Sequence, residues 1–204
     1  MPESKLTKEQ FLRDVENHQI TIIRDDGVNR HIRFKKPDTS DMSFELITWP
    51  WHLCYTGDMG TYVFNRIEDM FQFFRSKPGN GEKLYINTGY WAEKCLAADM
   101  HGGISEYSAE KATSRIKEWL DDHDASDEIR EEVKWQILIH ADDGEDVLRQ
   151  AVDNFEHDDF RFADFFEVNL HIRPFRYIWC CYALSWGIGL YDKYKDRLKQ
   201  KTAD

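Results

Sequence analysis

Cysteine is scarce in this chain and carries no pattern: Cys54, Cys95, Cys180 and Cys181 form no C-x-x-C pair. Neither a zinc ribbon nor a thioredoxin-like redox motif is therefore available. The vicinal pair lies in an apolar run, as reduced cytosolic thiols acting as small hydrophobes do. Basic residues are also short, with 27 Lys and Arg against 38 Asp and Glu for a net charge of −11. Direct binding to DNA or RNA needs clustered cations, so that class is disfavoured. No run is long enough for a membrane. The longest apolar stretch, 177–190, has 14 residues between Arg176 and Asp192, against the roughly 20 that span a bilayer. It reads as a core helix. The opening MPESKLTKEQ has no apolar segment, so secretion is not indicated and a cytoplasmic location is expected. There is also no G-x-S-x-G, dinucleotide fingerprint, phosphate loop or kinase motif set.

What is present suffices for folding. Hydrophobic residues are 41% and aromatics 14% of 204 residues, enough apolar surface to offset ordering entropy in one well-buried core or two small ones. The expectation is one α+β domain over 1–204, with a sheet-rich half at 1–105 and an acidic helical half at 106–204. Charge is uneven along it. Residues 1–105 hold 13 Lys/Arg and 15 Asp/Glu, residues 106–167 hold 7 and 20, and residues 168–204 hold 7 and 3. The middle segment, at −13, carries the whole excess.

Periodicity orders the elements. Thr7-Lys8-Glu9-Gln10 is a capping box opening a helix with Phe11, Leu12 and Val15 inward. Alternation predicts strands at 19–24, 30–35, 43–49, 51–56 and 61–64. Gly57 and Gly60 bracket a tight turn for which they can supply positive φ. Asn65 is expected to cap a helix burying Ile67, Met70, Phe71 and Phe74. Residues 76–81 read as a loop, 84–86 as a candidate strand, 89–98 as a helix, and 101–103 as its end. Beyond Ser108 the period becomes 3.6: Ser108 and Ser126 cap two helices and a third follows Gly144, with His140 a candidate for the inner face of the second. Residues 160–166 fit no element. After Arg173-Pro174 the last helix is expected to bury Ile178, Cys181, Tyr182, Ser185, Trp186 and Gly189. Together these give an antiparallel N-terminal sheet packed with helices.

Candidate chemistry is thin. His52 and Cys54 share one strand face, and a Cys–His pair can make a thiolate nucleophile, but no orienting third group is evident. His123, His140 and His157 each lie beside acidic residues without the spacing of a zinc or EF-hand site. Asp58 is a turn aspartate or an exposed acid/base. Trp49, Trp51 and Tyr55 alternate, as core residues or, if exposed, as binding hot spots. The strongest signal is the set Asp121, Asp122, Asp124, Asp127, Glu128, Asp142, Asp143, Glu145, Asp146, Glu156, Asp158 and Asp159. A solvated, solubilising face is one explanation. A contiguous anionic surface for a basic partner is the other. No cofactor or metal is implied.

The segments FELITWPWHLCYTGDMGTYVF, EDMFQFF, YINTGYWAEK and FRYIWCCYALSWGIGLYD resemble a family of uncharacterised proteins encoded by phages and prophages of proteobacteria. That family shows W-P-G-x-L-x-x-x-G-D-M-G-x-x-x-F and W-C-x-Y-A-x-x-W-G-I, and here Trp51 replaces the glycine after Pro50. The resemblance implies a mobile genetic element in a bacterial host and brings no catalytic residues. With the acidic segment, it sets the expectation of a non-enzymatic accessory protein of the anti-CRISPR or anti-restriction type. Its partner would be a host protein with a basic nucleic-acid-binding groove, met by a nucleic-acid-mimicking surface. The competing expectation is a small cytosolic hydrolase with a carboxylate/His or Cys/His site.

Overall fold

The computed structural model describes residues 6–75, 84–100 and 103–201. In chain order the first elements are α1 (Lys8–Asp14), β1 (Gln19–Asp26), β2 (Asn29–Lys35), β3 (Phe44–Trp49), β4 (His52–Gly57) and β5 (Gly60–Asn65). Next come α2 (Met70–Phe74), α3 (Thr88–Ala92), β6 (Cys95–Ala98) and β7 (Glu106–Tyr107). Then follow α4 (Ala109–Asp122), α5 (Asp127–Gln136), a 3-10 turn (Leu138–Asp143), α6 (Glu145–Asn154), a 3-10 turn (Phe165–Glu167), β8 (His171–Ile172) and α7 (Phe175–Lys201). This is an α+β fold. The chain divides into two compact units, one made of Met1–Ile104 with Arg173–Asp204 and the other of Ser105–Ile172. The division departs from a simple sheet half and helical half, because the last helix belongs with the sheet.

The first unit is built on a six-stranded antiparallel sheet in the order β1-β2-β3-β4-β5-β6. Alternation does what the sequence demands. Ile32, Phe34, Phe44, Leu46, Leu53, Tyr55, Tyr62 and Phe64 are buried on one face, while Arg33, Glu45, Ile47, Cys54 and Val63 take the other. Two features lock the β4–β5 turn. Gly60 takes φ 100°. Gly57 is needed for a different reason, since a Cβ there would stand 2.2 Å from the Ser43 carbonyl oxygen. Between β3 and β4 the turn residue Trp51 has φ 73°, a conformation that favours glycine. It is held by its amide donating to the Glu68 carbonyl at 3.0 Å and by its own carbonyl accepting from Arg66.

Two expectations shift here. Asn65 stays in β5 opposite His52. The cap of α2 is Asp69, which accepts from the Phe71 amide at 3.0 Å. Ile67 consequently lies outside the helix, partly exposed. The sixth strand is β6, not 84–86: α3 ends after one turn and the chain pairs with β5. Residues 76–81, and two of 101–103, lie outside the described residues.

Helix α7 closes the sheet face. Gly187 allows the close approach, its position for a Cβ being 3.2 Å from Phe34 and Phe44 and 3.3 Å from Leu46. The buried face carries Tyr177, Cys180, Cys181, Leu184, Ser185, Ile188 and Tyr191. The expected Ile178, Tyr182, Trp186 and Gly189 are only half-buried. The helix is apolar nearly all round, so its periodicity points in no one direction. Its flank is taken by α1, whose capping box is formed and whose Phe11 packs on Trp179, Tyr182 and Trp186 at 5.1–6.4 Å. Charged clamps finish the unit. The buried Arg30 donates twice to Asp69, at 2.8 and 3.1 Å, and lies 4.6 Å over the Phe71 ring. Arg75 donates twice to Asp192 at 2.9 Å.

The second unit begins and ends at one place, because β7 pairs antiparallel with β8 through Glu106↔Ile172 and Tyr107↔His171. Ser108 and Ser126 cap α4 and α5 as expected, accepting from Lys111 and Ile129 at 3.1 and 3.3 Å. Helix α5 stops at Gln136, so His140 falls on the 3-10 turn, half-exposed, and not on an inner helical face. The core is separate and holds Ile116, Leu120, Val133, Ile137, Leu148 and Val152. The segment the sequence leaves unassigned completes it: Phe162 packs edge-on to Phe155 and Phe165 at 5.8 and 5.5 Å.

Candidate functional site

All twelve carboxylates singled out in the sequence fall in the second unit, between α4 and the turn after α6. Residues Ser105–Ile172 hold 20 Asp/Glu and 7 Lys/Arg, a net of −13, and the rest of the chain is therefore +2. Geometry sorts them into two groups. The Tyr107 hydroxyl donates to the Ala141 carbonyl at 2.7 Å, which sets Asp142 and Asp143 beside the start of α4. Asp121, Asp122 and Asp124 lie at its end, with Asp127 and Glu128 opening α5 immediately after. Helix α4 has 14 residues, so about 21 Å of helix separates the groups. The expected single contiguous surface is thus two patches.

The first patch extends towards α5. His157 Nδ1 lies 3.0 Å from Glu132, and its Nε2 3.8 Å from Asp158. The hydrogen bond to Glu132 raises the His157 pKa above 6.5, with the charges of Glu132, Asp158 and Glu128 adding to it. Some carboxylates are answered locally. Arg130 donates to Asp121 at 2.6 Å, and Arg161 to Glu156 at 2.7 Å. Asp122, Asp124, Asp127, Glu128 and Asp159 are exposed and show no ion pair among the described residues.

The second patch surrounds Tyr107. Glu145 pairs with Arg149 at 2.8 Å and with His171 at 3.1 Å, and Asp143 pairs with His140 at 2.8 Å. Asp142 and Asp146 are exposed. Burial, then the charges of Glu145 and Asp142, push the Tyr107 hydroxyl pKa up, which keeps it a neutral donor. On α5 and the following turn, Trp135 is 65% and Ile139 58% exposed. The sequence held the clue: Ile129, Val133 and Ile137 face inward at helical spacing, which turns Trp135 outward.

The other candidates are placed as follows. His52 donates from Nδ1 to the Pro50 carbonyl at 3.0 Å, accepts at Nε2 from Asn65 at 3.1 Å, and stacks on Trp49. Cys54 donates to the Tyr55 carbonyl, and burial raises its pKa, the opposite of an activated thiolate. Asp58 accepts from the Met42 amide at 3.0 Å, as a turn residue does. Tyr55 is buried, while Trp49 and Trp51 are exposed. A carboxylate/His pair does exist at Glu45, where His31 and Arg33 both engage the carboxylate. Burial disfavours the Glu45 charge, but those two hydrogen bonds outweigh it and lower the pKa. His123 stacks on Trp119, away from the partners of His140 and His157. Among the described residues no three His, Cys, Asp or Glu side chains are placed to hold a metal ion, and no helix is long and apolar enough to cross a membrane. Compared with known proteins, the chain matches no family model, no curated relative and no solved structure.

Proposed function

We propose that this is a non-enzymatic binding protein whose 105–172 unit docks on a basic, nucleic-acid-handling surface of another protein and blocks it. The observation that carries the reading is the confinement of the −13 charge to one compact unit with its own core. A merely solubilising excess has no need of a dedicated body. The same unit exposes Trp135 and Ile139, and a groove that holds nucleic acid offers the matching combination of cations and base-stacking surfaces. The resemblance to phage and prophage proteins narrows the partner to a host defence complex of the CRISPR or restriction class. The alternative hydrolase has less support, since the Cys54 thiol is raised in pKa and Glu45 is engaged by two partners.

The test is capture of partners from host lysate, followed by elution with salt or with added DNA or RNA. A nucleic-acid-binding complex should be retained at low salt and displaced by nucleic acid. Reversing Asp122, Asp124, Asp127 and Glu128 to lysine should abolish retention. Retention unchanged by that reversal would refute the electrostatic mechanism.

A further inference from the structure

A cavity among the described residues belongs to the first unit, outside the acidic 105–172 segment. It is a groove of about 700 Å³ between α1 and α7, lined by Lys8, Leu12, Leu84, Trp186, Gly189, Leu190 and their neighbours. That size lies within the roughly 300–1,000 Å³ of small-ligand sites, which are likewise mostly apolar with a few polar anchors.

Three observations bear on what it holds. The first concerns glycine. Gly187 is explained by the strands beneath it, but a Cβ on Gly189 would meet nothing within 4 Å among the described residues. Glycine in a helix interior is destabilising relative to alanine, so the packing of the described residues gives no reason for Gly189. A ligand lying against the helix backbone would. The second is the exposure of the floor: Leu12 is 39% exposed, and Trp186, Gly189 and Leu190 are only half-buried. The third is charge. Lys8 and Lys193 both line the groove, and neither is paired with a carboxylate among the described residues. The Trp179 indole donates to Asp14 at 2.9 Å, and Phe11 packs against Tyr182 and Trp186. Helix α1 therefore runs antiparallel to α7, which carries Lys8 towards the Lys193 end.

An apolar trough closed at one end by two ammonium groups fits an apolar chain with one anionic head. A docked helix would instead meet charges spread along both edges. We propose that this groove binds a fatty carboxylate, its chain lying along Leu12, Trp186, Gly189 and Leu190 and its head between Lys8 and Lys193. The site is independent of the acidic unit.

The full chain would be titrated calorimetrically with decanoate, below its micellar range, and with decanol. One decanoate should bind saturably per chain. The Lys8→Gln/Lys193→Gln pair should weaken decanoate at least tenfold and leave decanol within twofold. Gly189→Leu should abolish binding of both while keeping the thermal midpoint at or above that of the wild type, because leucine is the better helix former. Absent or non-saturable decanoate binding overturns the proposal. So does binding unchanged in Gly189→Leu, or a lysine pair variant that loses decanol as strongly as decanoate.

Discussion

The two units stabilise themselves in contrasting ways. The sheet unit buries aromatic rings in quantity and ties charges into bidentate pairs, the buried Arg30 with Asp69 and the half-exposed Arg75 with Asp192. The inserted unit keeps a smaller core and leaves most of its carboxylates in solvent, at −13 against +2 for the rest. Such crowding of like charge opposes compaction. The contrast teaches that the charge is segregated: the body that must be stable is nearly neutral, and the body that carries charge is separately built.

Excision breaks the comparison most completely. The ends of the insertion are paired by β7 and β8, and outside it Arg173 donates to the Ile104 carbonyl at 2.8 Å. Replacing 106–171 by a short glycine-serine linker should leave a sheet unit that still melts cooperatively by circular dichroism. The same protein should capture no partner.

Asp69→Ala has the next largest effect. It strands the Arg30 guanidinium, which is 8% exposed, and removing one partner of a buried pair costs about 3–5 kcal/mol. Denaturant titration should show that loss in the sheet unit, and hydrogen exchange should find the insertion unaltered.

A smaller effect distinguishes the units by pH. The pKa of His157 is raised in the fold, so its contribution is complete below 6.5 and is lost as pH rises through the folded value. His18 is shifted the other way, lowered by burial although Nε2 donates to the Met42 carbonyl at 2.9 Å. The neutral ring is required there, so stability falls as pH drops below 6.5 and through the folded value. Segment-resolved hydrogen exchange should show the insertion loosening on the alkaline side and the sheet unit on the acid side. His157→Gln and His18→Gln should each flatten one slope.

Strands β1 to β5 are legible in the sequence because alternation and turn residues agree at every step. Strand β6 is not, since Cys95-Leu96-Ala97-Ala98 has helical composition and becomes a strand only through the edge that β5 offers. Asn65 and Asp69 are equally good caps, and only the backbone bends at 66–69 decide between them. The buried face of α7 could not be read from a helix that is apolar all round. For the site, the identity of the carboxylates is plain in the sequence, but their division into two patches depends on Tyr107 reaching Ala141, a contact between residues 34 positions apart.

All four cysteines lie in the sheet unit and none in the insertion. Cys180 and Cys181 are completely buried on the sheet-facing side of α7, and burial pushes the Cys180 thiol well up and that of Cys181 to about 12. An alkylating reagent therefore meets them only when α7 lifts from the strands. The chain thus contains its own clock for that opening.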